Sequence, residues 1–397
     1  MAATASPLKG RIHYIDGLRA VAVLMVVVHH AAKYGVPFSP PIQHALMEGA
    51  HGVDLFFVIS GFVLSHPFLV KLHEQGKATF DVATYLAHRF VRILPPYYFA
   101  IAVCWLILYA VTQWQLSMPW GIIGPHVTPL EVLKQMVFMD QQPQLLNGAF
   151  WSLAVEFRWY FVFPLLLLLW TKSPRAFAVV GLAFVFMANF TRAASLDVFI
   201  LPGFMLGIVA AEIEVRQMKL GRLAALVTVL ALCVALLLEP KTIDFYNGVQ
   251  WAWQLLPFSF VVAAGAIPWL RKALGFGPLV AIGLVSYSIY LIHEPLIGLV
   301  LTNTPYGFFA AVAVGVAAGA LFWVVFERPF MATPLKGKLT GMLQPPLARL
   351  LSFLGISTSM ELTRTPAKAA EAAAVAEEDA VQAAPAPEVS PVTSPQS

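Results

Sequence analysis

Ten runs of about twenty apolar residues divide this chain, and that pattern constrains its fold more than any other feature. The runs span roughly residues 15–34, 51–70, 93–114, 149–171, 176–195, 198–214, 222–239, 251–270, 279–302 and 307–326. A helix needs about 20 apolar residues to cross ~30 Å of hydrocarbon. Charge supports the reading: only 12% of the 397 residues are Asp, Glu, Lys or Arg, while 59% are hydrophobic. Soluble domains carry about 25% charged residues, so a soluble chain of this length could not cover its surface. The apolar background is uniform and includes 29 Phe, without the polar–apolar alternation of a membrane β-barrel. The expected fold is therefore all-α, a polytopic membrane protein of about ten helices.

The basic residues orient it. With the N-terminus in the cytoplasm, 20 of the 25 Lys and Arg fall in cytoplasmic segments and 4 in outer ones, with Arg158 left inside the fourth run. That asymmetry follows the positive-inside rule and puts both termini in the cytoplasm. It also accounts for the net charge of +4 without a nucleic-acid partner. The first run lacks a small-residue cleavage site and reads as a retained span. Cys104 and Cys233 lie in separate runs, so neither a disulfide framework nor a metal site is expected. The organisation expected is a cytoplasmic N-terminus (1–14), a membrane domain (15–330), a membrane-surface segment (331–360) and a disordered Ala/Pro/Glu-rich tail (361–397). The longest outer loop, 115–148, is expected to hold a short surface helix near Glu131–Met139.

Ionisable residues inside membrane spans are costly and tend to mark function. Here they are Arg19, His29, His30, Asp54, Glu156, Arg158, His293 and Glu294. Arg19 and His30 are eleven residues apart, which returns them to within ~20° of one helix face, ~16 Å apart along the axis. His29 points about 80° away from Arg19. His30, Asp54, Glu156 and His293 all fall in the outer half of their spans. Two acids and two imidazoles at one level suit a general acid–base site, a proton relay, or unrelated interhelical hydrogen bonds. On the cytoplasmic side, Arg89 and Arg92 share a face ahead of Pro95-Pro96. With Arg19 they make three guanidinium groups at one mouth, suited to phosphate or to ordinary membrane anchoring.

These segments, in order, resemble the acyltransferase 3 family. Asp16-Gly17-Leu18-Arg19 with His30 resembles its Arg-x10-His signature. Gly52-Val53-Asp54 through Ser60-Gly61-Phe62 is similar to its second-span motif, and His88-Arg89-Phe90-Val91-Arg92 through Pro95-Pro96-Tyr97 to its third-span entry, although the usual paired Arg reads His88-Arg89. Trp151-Ser152-Leu153-Ala154-Val155-Glu156, with Tyr160 and Pro164, resembles the fourth-span motif. Ser286-Tyr287 with Tyr290-Leu291-Ile292-His293-Glu294-Pro295 resembles the late segment, and Glu327-Arg328-Pro329 the closing one. Arg158 departs from the pattern, standing where a neutral polar residue is common. It is free to pair with Glu156 or to meet an anionic acceptor.

The resemblance implies transfer of an acyl group, usually acetyl, from acyl-CoA to a hydroxyl of a carbohydrate or glycolipid, in the cytoplasmic (inner) membrane. No fused SGNH-type hydrolase domain is expected within this chain. Arg19, Arg89 and Arg92 are then expected to bind the phosphates of acyl-CoA, with Ser60-Gly61 letting the pantetheine arm pass close to backbone. His30 is expected to act as base or as an acyl-carrying imidazole, oriented by Glu156. Asp54, Trp151, Tyr287 and His293 would shape the acceptor side. The competing readings are a proton-coupled transporter or flippase, which would use His30, Asp54, Glu156 and His293 without acyl-CoA, and a scaffold acting through its tail.

Overall fold

The computed structural model describes residues 12–35, 37–118, 128–139, 146–190, 196–238, 250–304 and 307–363. In chain order the elements are α1 (His13–Tyr34), α2 (Pro40–Met47), a 3-10 turn (Glu48–His51), α3 (Gly52–Gln75), β1 (Lys77–Asp81), α4 (Val82–Gln113), α5 (Pro129–Met136), α6 (Phe150–Lys172), α7 (Pro174–Phe190), α8 (Leu196–Val215), α9 (Gly221–Leu238), α10 (Gln250–Ala266), α11 (Pro268–Leu274), α12 (Gly277–Leu284), α13 (Ser286–Asn303), α14 (Gly307–Phe322), a π turn (Trp323–Glu327), α15 (Arg328–Met331), α16 (Thr333–Phe353) and β2 (Ser359–Thr363). Among the described residues, six helical segments are long and apolar enough to cross a membrane; α10–α11 and α12–α13 add two broken spans, bent by 103° and 71°. α7 and α9 are shorter apolar helices. Each of the ten apolar runs falls on one of these units, and the protein is an all-α polytopic membrane protein.

Lipid gives helices no hydrophobic reason to pack, so close backbone approach carries much of the association. α3 crosses α8 through Gly61 and Gly207: a Cβ on either would overlap a carbonyl oxygen of the other helix, Phe204 or Val58. The start of α1 is held likewise. Gly17 lies on the Leu274 carbonyl, and Gly283 of α12 lies on the Asp16 carbonyl. Overpacking costs about 1–3 kcal/mol, so Gly207→Leu should lower the melting temperature in detergent by roughly 2–10 °C. Gly337→Leu, where an added Cβ meets nothing within 4 Å, should leave it unchanged.

Prolines inside spans free carbonyls that need other donors. Pro295 has no N–H to give Leu291, and the Asn147 side-chain amide donates to that carbonyl instead, at 2.8 Å. Asn147 Oδ1 accepts from the Ala149 N–H at 2.9 Å, so the turn before α6 is latched onto α13.

The short helix expected in the 115–148 segment is present as α5, at Pro129–Met136, started by a capping box in which Thr128 and Glu131 satisfy each other's backbone N–H groups. Those hydrogen bonds hold the Glu131 carboxyl below its ordinary value. After α5, Phe138 takes φ 58°, uncommon for a bulky residue. It is held by stacking on Tyr97 (4.6 Å) and Phe157 (4.3 Å).

One boundary is corrected. Residues 361–363 are not tail: they belong to β2, antiparallel to β1 in the register Lys77↔Thr363. Phe80 and Leu362 are fully buried by this ribbon. A five-residue strand with one buried Leu is too small to alter the composition from which the tail was read. The rest of the expected tail, 364–397, and the loop residues 119–127 and 140–145 lie outside the described residues.

Candidate active site

Five helices enclose a cavity of about 160 Å³. α1 contributes Arg19, α3 Phe56 and Ser60, α4 Arg89 and Arg92, α6 Ser152, Glu156 and Tyr160, and α13 Ser286, Tyr287 and Tyr290. The i,i+3 spacing on α4 turns both guanidinium groups to one side. Tyr287 is fixed by donating to the Ile93 carbonyl at 3.0 Å. The Arg89 Nε and the Ser286 hydroxyl are buried without a hydrogen-bond partner.

Three carboxylates, Asp16, Glu327 and Glu156, lie within electrostatic range of Arg19 and offset the cations. Glu156 accepts from the Ser60 hydroxyl at 2.5 Å. Glu327, 2% exposed, accepts from the Ser288 hydroxyl at 2.6 Å. It also takes the Ser288 backbone N–H and lies within electrostatic range of Arg92 and Arg19. A carboxylate at the first turn of α13 is favoured by the helix dipole, which gives the Glu327-Arg328-Pro329 motif a structural role. Outside the spans, on α16, burial and then Arg92 and Arg89 push the Lys336 ammonium below its ordinary value.

A second polar cluster lies farther along α1 and α13. His30 Nδ1 is 3.1 Å from His293 Nε2 and 3.0 Å from the Val26 carbonyl oxygen. His30 Nε2 faces Glu294 Oε1 at 3.3 Å. The Tyr34 hydroxyl donates to the same oxygen at 2.7 Å. His293 and Glu294 are 0% and 1% exposed. Tyr290 links cavity and cluster: it lines the cavity, its ring centroid is 5.7 Å from that of His293, and its hydroxyl donates to the Ala149 carbonyl at 3.0 Å. That hydroxyl also accepts from Ser152 at 2.5 Å.

Arg19, Arg89, Arg92, Ser60, Glu156 and Tyr287 thus share one cavity, and His30 meets His293 beyond it. The single four-residue site at one level does not form. Glu156 does not orient His30; it is committed to Ser60, and the carboxylate at His30 is Glu294. Asp54 is taken by His51 (2.7 Å) and Gln250 (2.9 Å), with the His51 ring stacked on Trp253 at 3.7 Å. Trp151 is half-buried in the core and, like Asp54, is absent from the cavity lining. Gly61 offers no passage to a pantetheine arm, because α8 covers it. Arg158 pairs with Asp197, Nε–Oδ1 at 2.7 Å and Nη2–Oδ2 at 3.0 Å, and donates to the Phe138 carbonyl at 3.1 Å. It ties α8 and the turn after α5 to α6 rather than pairing with Glu156. Sequence reasoning left Glu294 and Tyr34 without a role. Their signal was an intramembrane acid directly after His293, and a Tyr one helical turn beyond His30.

The model of the Acyltransferase domain of the acyltransferase 3 family matches residues 12–328. Among curated relatives, the peptidoglycan O-acetyltransferase OatA of Listeria monocytogenes is 25% identical over 325 residues, covering 72% of this chain and 49% of the relative. The O-acetyltransferase OatA of Staphylococcus aureus is 24% identical over 321 residues, covering 71% and 50%. The chain therefore spans about half the length of these relatives. No solved structure matches. With the family model matched from the first turn of α1 to the π turn after α14, the chain belongs to the acyltransferase 3 family.

Proposed function

We propose that the protein transfers an acyl group, most simply acetyl, from cytoplasmic acyl-CoA to a hydroxyl of a carbohydrate-type acceptor at the inner membrane. The observation that carries this reading is the two-level layout: an arginine-lined cavity joined through Tyr290 to the buried His30–His293–Glu294 cluster. Membership in the family and relatives named for O-acetyl transfer, one of them to peptidoglycan, support it. Arg19, Arg89 and Arg92 would bind donor phosphate by charge-assisted hydrogen bonds. The cavity, about 160 Å³, is small for a whole acyl-CoA, so the nucleotide would stay at the mouth while the thioester end reaches inward.

His30 would take the proton of the acceptor hydroxyl. The hydroxyl oxygen then bonds to the thioester carbonyl carbon, the carbon–sulfur bond breaks, and the CoA thiolate is reprotonated. Enclosure protects the thioester from water. Mass spectrometry of surface glycans from cells with and without the protein tests the reading. A base-labile acetyl increment present only with the protein is the expected result. Unchanged glycan acylation, together with no acyl-CoA consumption by the purified protein, would reject it in favour of a transporter using the same buried groups.

A further inference from the structure

The proton positions around His30 follow from its neighbours. His293 Nδ1 lies 2.9 Å from the Tyr290 carbonyl and 3.1 Å from that of Ile289. Carbonyls only accept, so Nδ1 of His293 carries its proton and, in the neutral ring, Nε2 is a bare acceptor. His30 Nδ1 faces that acceptor and the Val26 carbonyl, so it too must donate. The basic nitrogen of His30 is then Nε2, and the group facing it is the carboxylate of Glu294.

Glu294 is built into this place. Tyr34 donates to Oε1, while Oε2 is buried without a hydrogen-bond partner. A Cβ at position 148 would stand 2.7 and 2.8 Å from the two oxygens, so glycine there leaves the carboxylate its room. The Asn147 latch onto the carbonyl freed by Pro295 sets the height of that turn. At 3.3 Å, Nε2 and Oε1 are farther apart than a formed charge-assisted hydrogen bond, about 2.7–2.9 Å.

We propose that Glu294 is the positioning residue of His30, its carboxylate 3.3 Å from Nε2 and so close enough to offset the positive charge of the imidazolium formed when His30 takes the acceptor's hydroxyl proton. This rests on the acyl-transfer reading above. The step balances: the proton leaves the hydroxyl for Nε2, the negative charge of Glu294 offsets it, and the proton departs on the thiol of CoA. The other ionisable groups facing the pair are His29 and Lys33 from α1, Tyr290 and His293 from α13, and Cys104 from α4. None of them supplies a second carboxylate.

The experiment is the pH dependence of acetyl transfer by the full chain in vesicles. Glu294→Gln should lower kcat by roughly 10²-fold with KM for acyl-CoA within about twofold, as expected when a general base loses its partner. Without the carboxylate the imidazolium is less favoured, so the acid limb of the kcat profile should move to lower pH. Tyr34→Phe removes a donor from Oε1, leaves its charge less neutralised, and should move the limb to higher pH with a smaller loss of rate. Glu294→Asp should recover part of kcat. Should Glu294→Gln fail to fold, the Tyr34→Phe shift decides alone. Unmoved limbs, or a normal rate in Glu294→Gln while His30→Ala is inactive, would overturn the proposal and leave acyl transfer standing. Normal rates in both would bring down the acyl-transfer mechanism itself.

Discussion

His30→Ala should reduce acetyl transfer by roughly 10²–10⁴-fold, the range for removing a general base. The loss should appear in kcat, with the KM for acyl-CoA little changed, because the cation-lined cavity is a separate part of the site. Neighbouring His29 is the matched control. Its Nδ1 donates to the Met47 carbonyl at 2.7 Å, and its ring meets that of His30 edge-on with centroids 4.9 Å apart. It therefore tethers the α2 end of the fold and is not aligned with Glu294. His29→Ala should keep the rate within about threefold, a change of well under 1 kcal/mol. Equal losses in the two variants would mean that the cluster serves packing, and the base assignment would fall.

Arg19→Ala should raise KM for acyl-CoA by roughly 10–100-fold, since one hydrogen bond to a charged group contributes about 1.5–3 kcal/mol. Arg92→Ala should behave alike, and Arg19→Lys should recover part of the affinity, because lysine keeps the charge but not the forked geometry. The contrast is Arg158→Ala. That guanidinium is already paired with Asp197 on two hydrogen bonds, so its loss should lower the melting temperature and leave KM near its original value. A KM unmoved in Arg19→Ala and Arg92→Ala would remove phosphate from the role of these residues.

The helices were legible because membrane spans are set by length and hydrophobicity, and both are written locally. What does not appear in the chain is how each helix is turned toward its neighbours. The sequence puts His30, Asp54, Glu156 and His293 in the outer half of their spans, yet among them only His30 and His293 face each other, and Glu156 lines the arginine cavity. Glu156 and Glu294 exchange the roles that level alone would assign, because α6 presents Glu156 to Ser60 of α3. The breaks at 103° and 71° were equally hidden, since an apolar run reads the same straight or bent. The β1–β2 pair joins residues some 280 positions apart, a distance over which local patterning is silent.

The clasp at the start of α1 bears on how such a protein changes over time. Gly17 and Gly283 bring main chain against main chain, and Arg19 follows two residues later. The placement of that guanidinium is therefore referenced to peptide groups rather than to the shapes of neighbouring side chains. Apolar residues on α11 and α12 are free to drift in size while the arginine keeps its station. A single methyl at either glycine, by contrast, would displace it. Lineages that reshape their lipid-facing surfaces should thus keep the arginine end of the cavity in register.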